Sequence, residues 1–322
     1  MTAGLALASA CIAAGGAFAG DADQSVFTLP QPVVDAATAF DGYMKGAAAV
    51  GPGFRDDGAV RVGLKASAAY QPAQFEAGMI AYGAIVALRD PRFVAGVEAA
   101  TGGQDAGRDV LAASLIADPA LVGRIDGADD AADRIDAALS AEADPLVSAG
   151  AQVKAAAYSV QHQAWSKATA PGPAARLAEV KALSAAPAQP SDDASRAMLA
   201  SISTAASAEE APHPAFTPIG TRALALAAES ILGEAESAER LAPLLVDADA
   251  AWCLKMAKLN LYQCMAVAGP EYEDIYCMGQ HAMLDTGQCV EGARTGPAAA
   301  PAWSGAAVTP LSARYSLAPS SR

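Results

Sequence analysis

Four cysteines set around one Gly-Pro step constrain this chain more than any other feature. They are Cys253, Cys264, Cys277 and Cys289, in "AWCLKMAKLNLYQCMAVAGPEYEDIYCMGQHAMLDTGQC", with Gly269-Pro270 between the second and third. The flanks carry a helical pattern. Asp247 or Asp249 caps a first helix that runs to Ala268. Gly269-Pro270 ends it, because glycine suits the left-handed position and proline cannot continue a helix. Glu271, Glu273 and Asp274 fill the first turn of a second helix, where acids suit the dipole, and Gly287 stops it. These signals predict an antiparallel helical hairpin.

Four cysteines allow three pairings, and hairpin geometry selects one. At ~1.5 Å of rise per residue, Cys253 and Cys264 stand roughly 16 Å apart on one helix. A disulfide needs its Cα atoms within about 7 Å, so sequential pairing is excluded. With the apex between Pro270 and Glu271, Cys264 and Cys277 each lie 6.5 residues from it, while Cys253 and Cys289 lie 17.5 and 18.5 residues away. Cys264–Cys277 and Cys253–Cys289 are therefore level across the hairpin. Crossed pairing mismatches by about ten residues, roughly 15 Å. The hairpin resembles, in architecture only, the twin-cysteine hairpins of coiled-coil-helix-coiled-coil-helix proteins. Its arms depart from equal spacing, with ten and eleven residues between cysteines, and no function is carried over.

The same cysteines with His281 would be the raw material of a zinc site. Structural zinc takes cysteine pairs two to four residues apart, and none occurs here, so no metal and no cofactor are expected. A thiol-redox role needs a reactive Cys-x-x-Cys, which is also missing.

Disulfides belong to oxidising compartments. The N-terminus, "MTAGLALASACIAAGGAFAG", is apolar from Ala3 and ends in Ala17-Phe18-Ala19, the small-residue pattern of signal-peptidase cleavage. It predicts a signal peptide over residues 1–19, although no Lys or Arg precedes the apolar run. The rival reading acylates Cys11, but Ala8-Ser9-Ala10 lacks the leucine usual three positions before a lipidated cysteine. Either way the expected location is the periplasm. A transmembrane helix needs about 20 strongly apolar residues, and this segment is shorter and rich in Ala and Gly.

Apolar residues make up 53% of the 322, with alanine supplying much of that fraction and aromatics only 6%. Alanine is the best helix former and lets helices approach closely. No alternating β-branched run and no Asn-Gly hairpin turn is present. The expected fold is all-α, a multi-helix bundle or irregular helical array that ends in the stapled hairpin. The formal charge of −14, without a Lys/Arg cluster, argues against nucleic acid, whose binders need a basic footprint.

Composition divides the chain into a helical domain at 20–184, a Pro/Ser/Ala-rich and mostly flexible connection at 185–219, a helical region at 220–292 and a disordered tail at 293–322. Within the connection, Asp192 to Ala206 reads as a helix. In "YQPAQFEAGMIAYGAIVAL", Pro72 starts a helix, and Gly78 and Gly83 leave room for another to approach. Asp90-Pro91, Asp118-Pro119 and Asp144-Pro145 each read as an N-cap followed by proline at the first helical position. The last would open one helix from Pro145 to about Lys167. On it, Tyr158, Gln161, His162 and Trp165 share a face, either a ligand-stacking surface or an ordinary helix–helix contact.

His281 has Asp285 four residues on, a spacing that can orient an imidazole for general-base work. No Gly-x-Ser-x-Gly, Walker loop, dinucleotide glycine pattern, His-Glu-x-x-His or EF-hand loop accompanies it. The candidate binding residues are thus His281, Asp285, Tyr158, His162 and Trp165. The segments "YQPAQFEAGMIAYGAIVALRDPRFV", "AYSVQHQAWSK" and "LNLYQCMAVAGPEYEDIYCMGQHAMLDTGQC" resemble uncharacterised exported proteins of alphaproteobacteria, over about residues 30–290. The resemblance implies a compartment and no activity. The expected function is a non-enzymatic binding or scaffold role with a protein or other envelope partner. The alternative is a hydrolase acting on cell-wall or sugar substrates through carboxylates assembled in the fold.

Overall fold

A computed structural model describes residues 29–169, 172–204 and 216–295. The expected signal peptide with Cys11, and the tail beyond residue 295, lie outside them. Among the described residues the fold is all-α; the sole extended pairing is an isolated antiparallel bridge between Thr169 and Pro270.

The chain begins with α1 (Gln31–Ala48), α2 (Asp57–Ala68) and α3 (Pro72–Ala87). α3 is apolar on all sides and is buried from Gly78 to Ala87, as a central helix must be. Its glycines do what their position predicts. A Cβ on Gly78 would come within 2.2 Å of the Ala36 carbonyl oxygen, and one on Gly83 within 3.0 Å of the Ala223 Cβ. At Gly78 the α3 and α1 backbones nearly touch, while at Gly83 the Ala223 and Ile135 side chains pack against bare α3 backbone.

The three Asp-Pro pairs behave differently. Asp90 caps α4 (Pro91–Ala100), accepting from the Arg92 and Phe93 amides. α5 (Asp105–Ala117) follows, and Asp118 then caps only a short 3-10 turn, Pro119–Arg124. Pro145 opens nothing. It lies inside α6 (Ala128–Val160), whose stripe Leu139, Ala143, Leu146, Gly150, Val153 and Ala157 is buried on one face. Burial along that stripe outweighs the hydrogen bond that proline forfeits. α6 also stops at Val160, seven residues before the expected end near Lys167, and the chain turns through Gln161–Ala164 into a 3-10 turn at Trp165–Lys167.

Next come α7 (Pro173–Leu183) and α8 (Asp192–Thr204). Within the stretch expected to be a mostly flexible connection, some described residues contact the body. Gln74 of α3 brackets Ala188, accepting from its amide and donating to its carbonyl, both at 2.7 Å. Met198 and Ile202 of α8 are buried, and the Ser195 hydroxyl is 3.0 Å from that of Thr38 in α1. α9 (Pro218–Leu232) and α10 (Ala238–Leu241) lead into the hairpin. Helices on both sides of the connection contribute to one continuous hydrophobic core.

The hairpin consists of α11 (Ala248–Val267), capped by Asp247, α12 (Glu271–Cys277), a π-helix at Met278–Leu284 and α13 (Asp285–Thr295). Both bridges form as the level pairing requires. The Cα separations are 5.7 Å for Cys253–Cys289 and 5.6 Å for Cys264–Cys277. Two local expectations are corrected. Gly269 has no left-handed φ; α11 ends because Ala268 is extended, and the Gly269 amide donates to the Glu273 carboxylate at 2.7 Å. Gly287 does not stop the second arm, which stays helical through residues 293–295. Gly287 instead serves packing, since a Cβ there would lie 2.7 Å from Val147 Cγ2 on α6.

α6 and the π-helix also approach closely, from both sides. A Cβ on Gly279 would sit 2.4 Å from the Lys154 amide nitrogen, and one on Gly150 would sit 2.7 Å from that of Leu284. Glycine at both positions is a steric requirement.

Lys258 of α11 is only 3% exposed. Its ammonium lies 3.7 Å from the centre of the Tyr70 ring and donates to Ser184 Oγ at 2.9 Å and to the Ala68 carbonyl. Burial lowers its pKa from 10.5 to about 7. Between those two values the unfolded chain holds a proton that the folded chain has shed, so this group adds stability as pH rises through that window. The melting temperature of the native protein should therefore rise relative to Lys258→Met between pH 7 and 10.5. Parallel melting curves for the two proteins would refute this.

Candidate functional site

α12 opens at the apex of the hairpin, against the C-terminal end of α6. The spacing of "EYEDIYC" places Tyr272 and Tyr276 one turn apart on the same side of α12. Tyr158, near the end of α6, is 56% exposed and meets Tyr276 edge to face at a centroid distance of 6.2 Å. Together with Gln161, Val267 and Glu273, the three tyrosines line a cleft of ≈ 350 Å³ beside the Cys264–Cys277 bridge. Val267 on its wall is 83% exposed, so apolar surface faces solvent here.

Beyond Tyr276 lies the first turn of the π-helix. The His281 ring stands 6.5 Å from that of Tyr276, and the Lys154 ammonium lies 5.7 Å from the Tyr276 centroid. His281 Nδ1 is 2.8 Å from Asp285 Oδ2, and Gln280 donates to the other Asp285 oxygen at 2.7 Å. The carboxylate is held at both oxygens and fixes the imidazole in place. This could orient a general base, but the neighbouring sulfur, Cys277, is locked in its bridge and is no nucleophile.

Tyr158, His281 and Asp285 are thus drawn into one neighbourhood through Tyr276. His162 and Trp165 are not, because α6 ends before the face that would have aligned them. His162 is exposed in the turn, and the Trp165 indole donates to the Gln163 side chain. Tyr272, Tyr276 and Lys154 are not among the candidates the sequence offers, whereas Glu273 is one of the acids considered for the carboxylate-pair alternative. The i, i+4 spacing is the signal for the two tyrosines, and nothing local marks Lys154.

The acids of this region divide between the two sides of α12. Glu273 faces the tyrosine cleft, where it accepts from the Gly269 amide. Glu271 and Asp274 are buried on the opposite side, and Asp274 Oδ2 accepts from Arg176 of α7 at 2.7 Å. Burial pushes the Asp274 pKa up to about 7 and raises that of Glu271; Arg176 opposes both shifts. Among the described residues, no three His, Cys, Asp or Glu side chains are placed to hold a metal ion, and no helix is long and apolar enough to cross a membrane.

The architecture is that of an all-α protein whose C-terminal hairpin, stapled twice, walls an aromatic cleft. Compared with family models, curated proteins and solved structures, the chain finds no match.

Proposed function

We propose that this is an exported, non-enzymatic binding or scaffold protein of the periplasm that takes a saccharide of the cell envelope in its tyrosine cleft. The observation that carries this reading is the cleft itself, with Tyr158, Tyr272 and Tyr276 around ≈ 350 Å³ of open space. Ligand sites are concavities of this size with apolar walls and a few polar groups. Tyrosine offers a flat apolar face together with a polar tip. Sugar rings would lie on those faces, and their hydroxyls would meet Gln161 and Glu273. The two disulfides support an oxidising compartment. Binding is favoured over hydrolysis because glycoside cleavage needs a pair of carboxylates, and among the described residues Glu273 is the one carboxylate lining the cleft.

The test is calorimetric titration with soluble glycan fragments of the cell wall. Tyr276→Ala should weaken binding at least about tenfold, which corresponds to ~1.4 kcal/mol. Native affinity retained in both Tyr276→Ala and Tyr158→Ala would remove the cleft from consideration. Turnover of the fragments by the native protein would overturn the non-enzymatic reading.

A further inference from the structure

The buried side of α12 forms a second, separate pocket. It occupies ≈ 130 Å³ between α2, α7 and α12. A single water needs only about 10–15 Å³ of such space, so the pocket has room for a small molecule. Arg176, Glu271 and Asp274 are its buried polar groups, while Arg61, Lys65 and Glu179 stand nearer solvent.

The buried groups leave two atoms without a partner. Asp274 is 1% exposed and gives Oδ2 to Arg176, yet its Oδ1 has no hydrogen-bond partner among the described residues. Arg176 gives its two terminal nitrogens to Asp274 and to the Ala268 carbonyl, yet its Nε has none. Buried polar atoms are almost always hydrogen-bonded, and an orphan in a native fold calls for a partner. Here an acceptor and a donor are unmet together, on adjoining side chains that line one pocket. The charge is also unbalanced, with two buried carboxyl groups facing one guanidinium. At the rim, Arg61 is already paired with Asp57.

We propose that this pocket binds a small primary ammonium compound with an oxygen acceptor beside its ammonium, as in an amino alcohol or an amino acid. The ammonium has three donors and one positive charge; it would satisfy Asp274 Oδ1, reach Glu271 and balance the buried charge. The neighbouring oxygen would accept from Arg176 Nε. Leu64 and Met265, on the apolar walls, limit the ligand to a short carbon chain. Burial raises the pKa of both carboxyl groups, against the opposing pull of Arg176.

The experiment titrates the full, disulfide-intact protein with ethanolamine, glycine, n-propylamine and acetate at constant ionic strength, followed by calorimetry. Ethanolamine and glycine should bind, n-propylamine should bind more weakly for want of the oxygen, and acetate should not bind. Glu271→Gln and Asp274→Asn should each weaken ethanolamine at least tenfold, while Tyr276→Ala should leave it unchanged. If Asp274→Asn does not fold, Glu271→Gln alone decides. Absence of ethanolamine binding, acetate binding as tight as ethanolamine, or undiminished affinity in Glu271→Gln would each overturn the proposal. Because Tyr276 touches only the other cleft, failure here leaves the saccharide reading standing, and the reverse holds.

Discussion

Replacing Cys253 and Cys289 together by serine should lower the melting temperature by about 10 °C while leaving the far-ultraviolet helical signal intact below the transition. The outer bridge spans 36 residues and the inner one 13. In the chain-entropy model, loops of those lengths restrict the unfolded chain by about 4 and about 3 kcal/mol respectively. For a chain of this size each kilocalorie is worth a few degrees. Cys264→Ser with Cys277→Ser should therefore cost less, about 3 kcal/mol, but act beside the cleft by freeing Tyr276 from its anchor. Differential scanning calorimetry of the two double variants measures the order directly. An inner pair more costly than the outer would show that native-state packing, rather than loop closure, sets the contribution of each bridge.

A single methyl group should do comparable damage. In Gly279→Ala the new Cβ would be 2.4 Å from the Lys154 amide nitrogen and 2.9 Å from its Cα. Both are backbone atoms, so no rotamer change relieves the clash, and α6 and the π-helix must move apart. Overpacking of this kind costs about 3 kcal/mol or more. Gly292→Ala is the matched control. It lies in α13 with nothing within 4 Å of its would-be Cβ, and there alanine should stabilise by roughly 0.5–1 kcal/mol. Urea titration of the two variants should give midpoints on opposite sides of the native value. If Gly279→Ala melts with the native protein, the close approach of these two segments does not hold the fold.

These features were legible in the sequence to different degrees, and the reason is the range over which each is determined. The hairpin and its bridges could be read because rise per residue and a Gly-Pro apex are local quantities. Asp90 could be read as a cap for the same reason. Pro145 misled because its local preference was overruled by a stripe of buried residues that needs partners elsewhere in the chain. The end of α6 misled through a missing signal, with neither Gly nor Pro among Gln161–Ala164. The candidate sites were hardest. Arg176 and Asp274 are 98 residues apart, and nothing near either one announces the other. Tyr158 stands out in the sequence, but its partner Tyr276 belongs to another helix, so the helical face through Tyr158 points to His162 and Trp165 instead.

The unequal arms of the hairpin give the π-helix a purpose. An α-helix turns about 100° per residue, so the 11-residue step from Cys253 to Cys264 on α11 completes three turns to within about 20°. The 12-residue step from Cys277 to Cys289 would overshoot three turns by about 120° and swing Cys289 away from its partner. Across Met278–Leu284 the wider π winding turns through less angle per residue and takes up that excess. The π-helix thus acts as a phase corrector. It lets an arm with one residue too many present both cysteines to a partner arm without it, and it sets His281 on the widened turn that makes the correction.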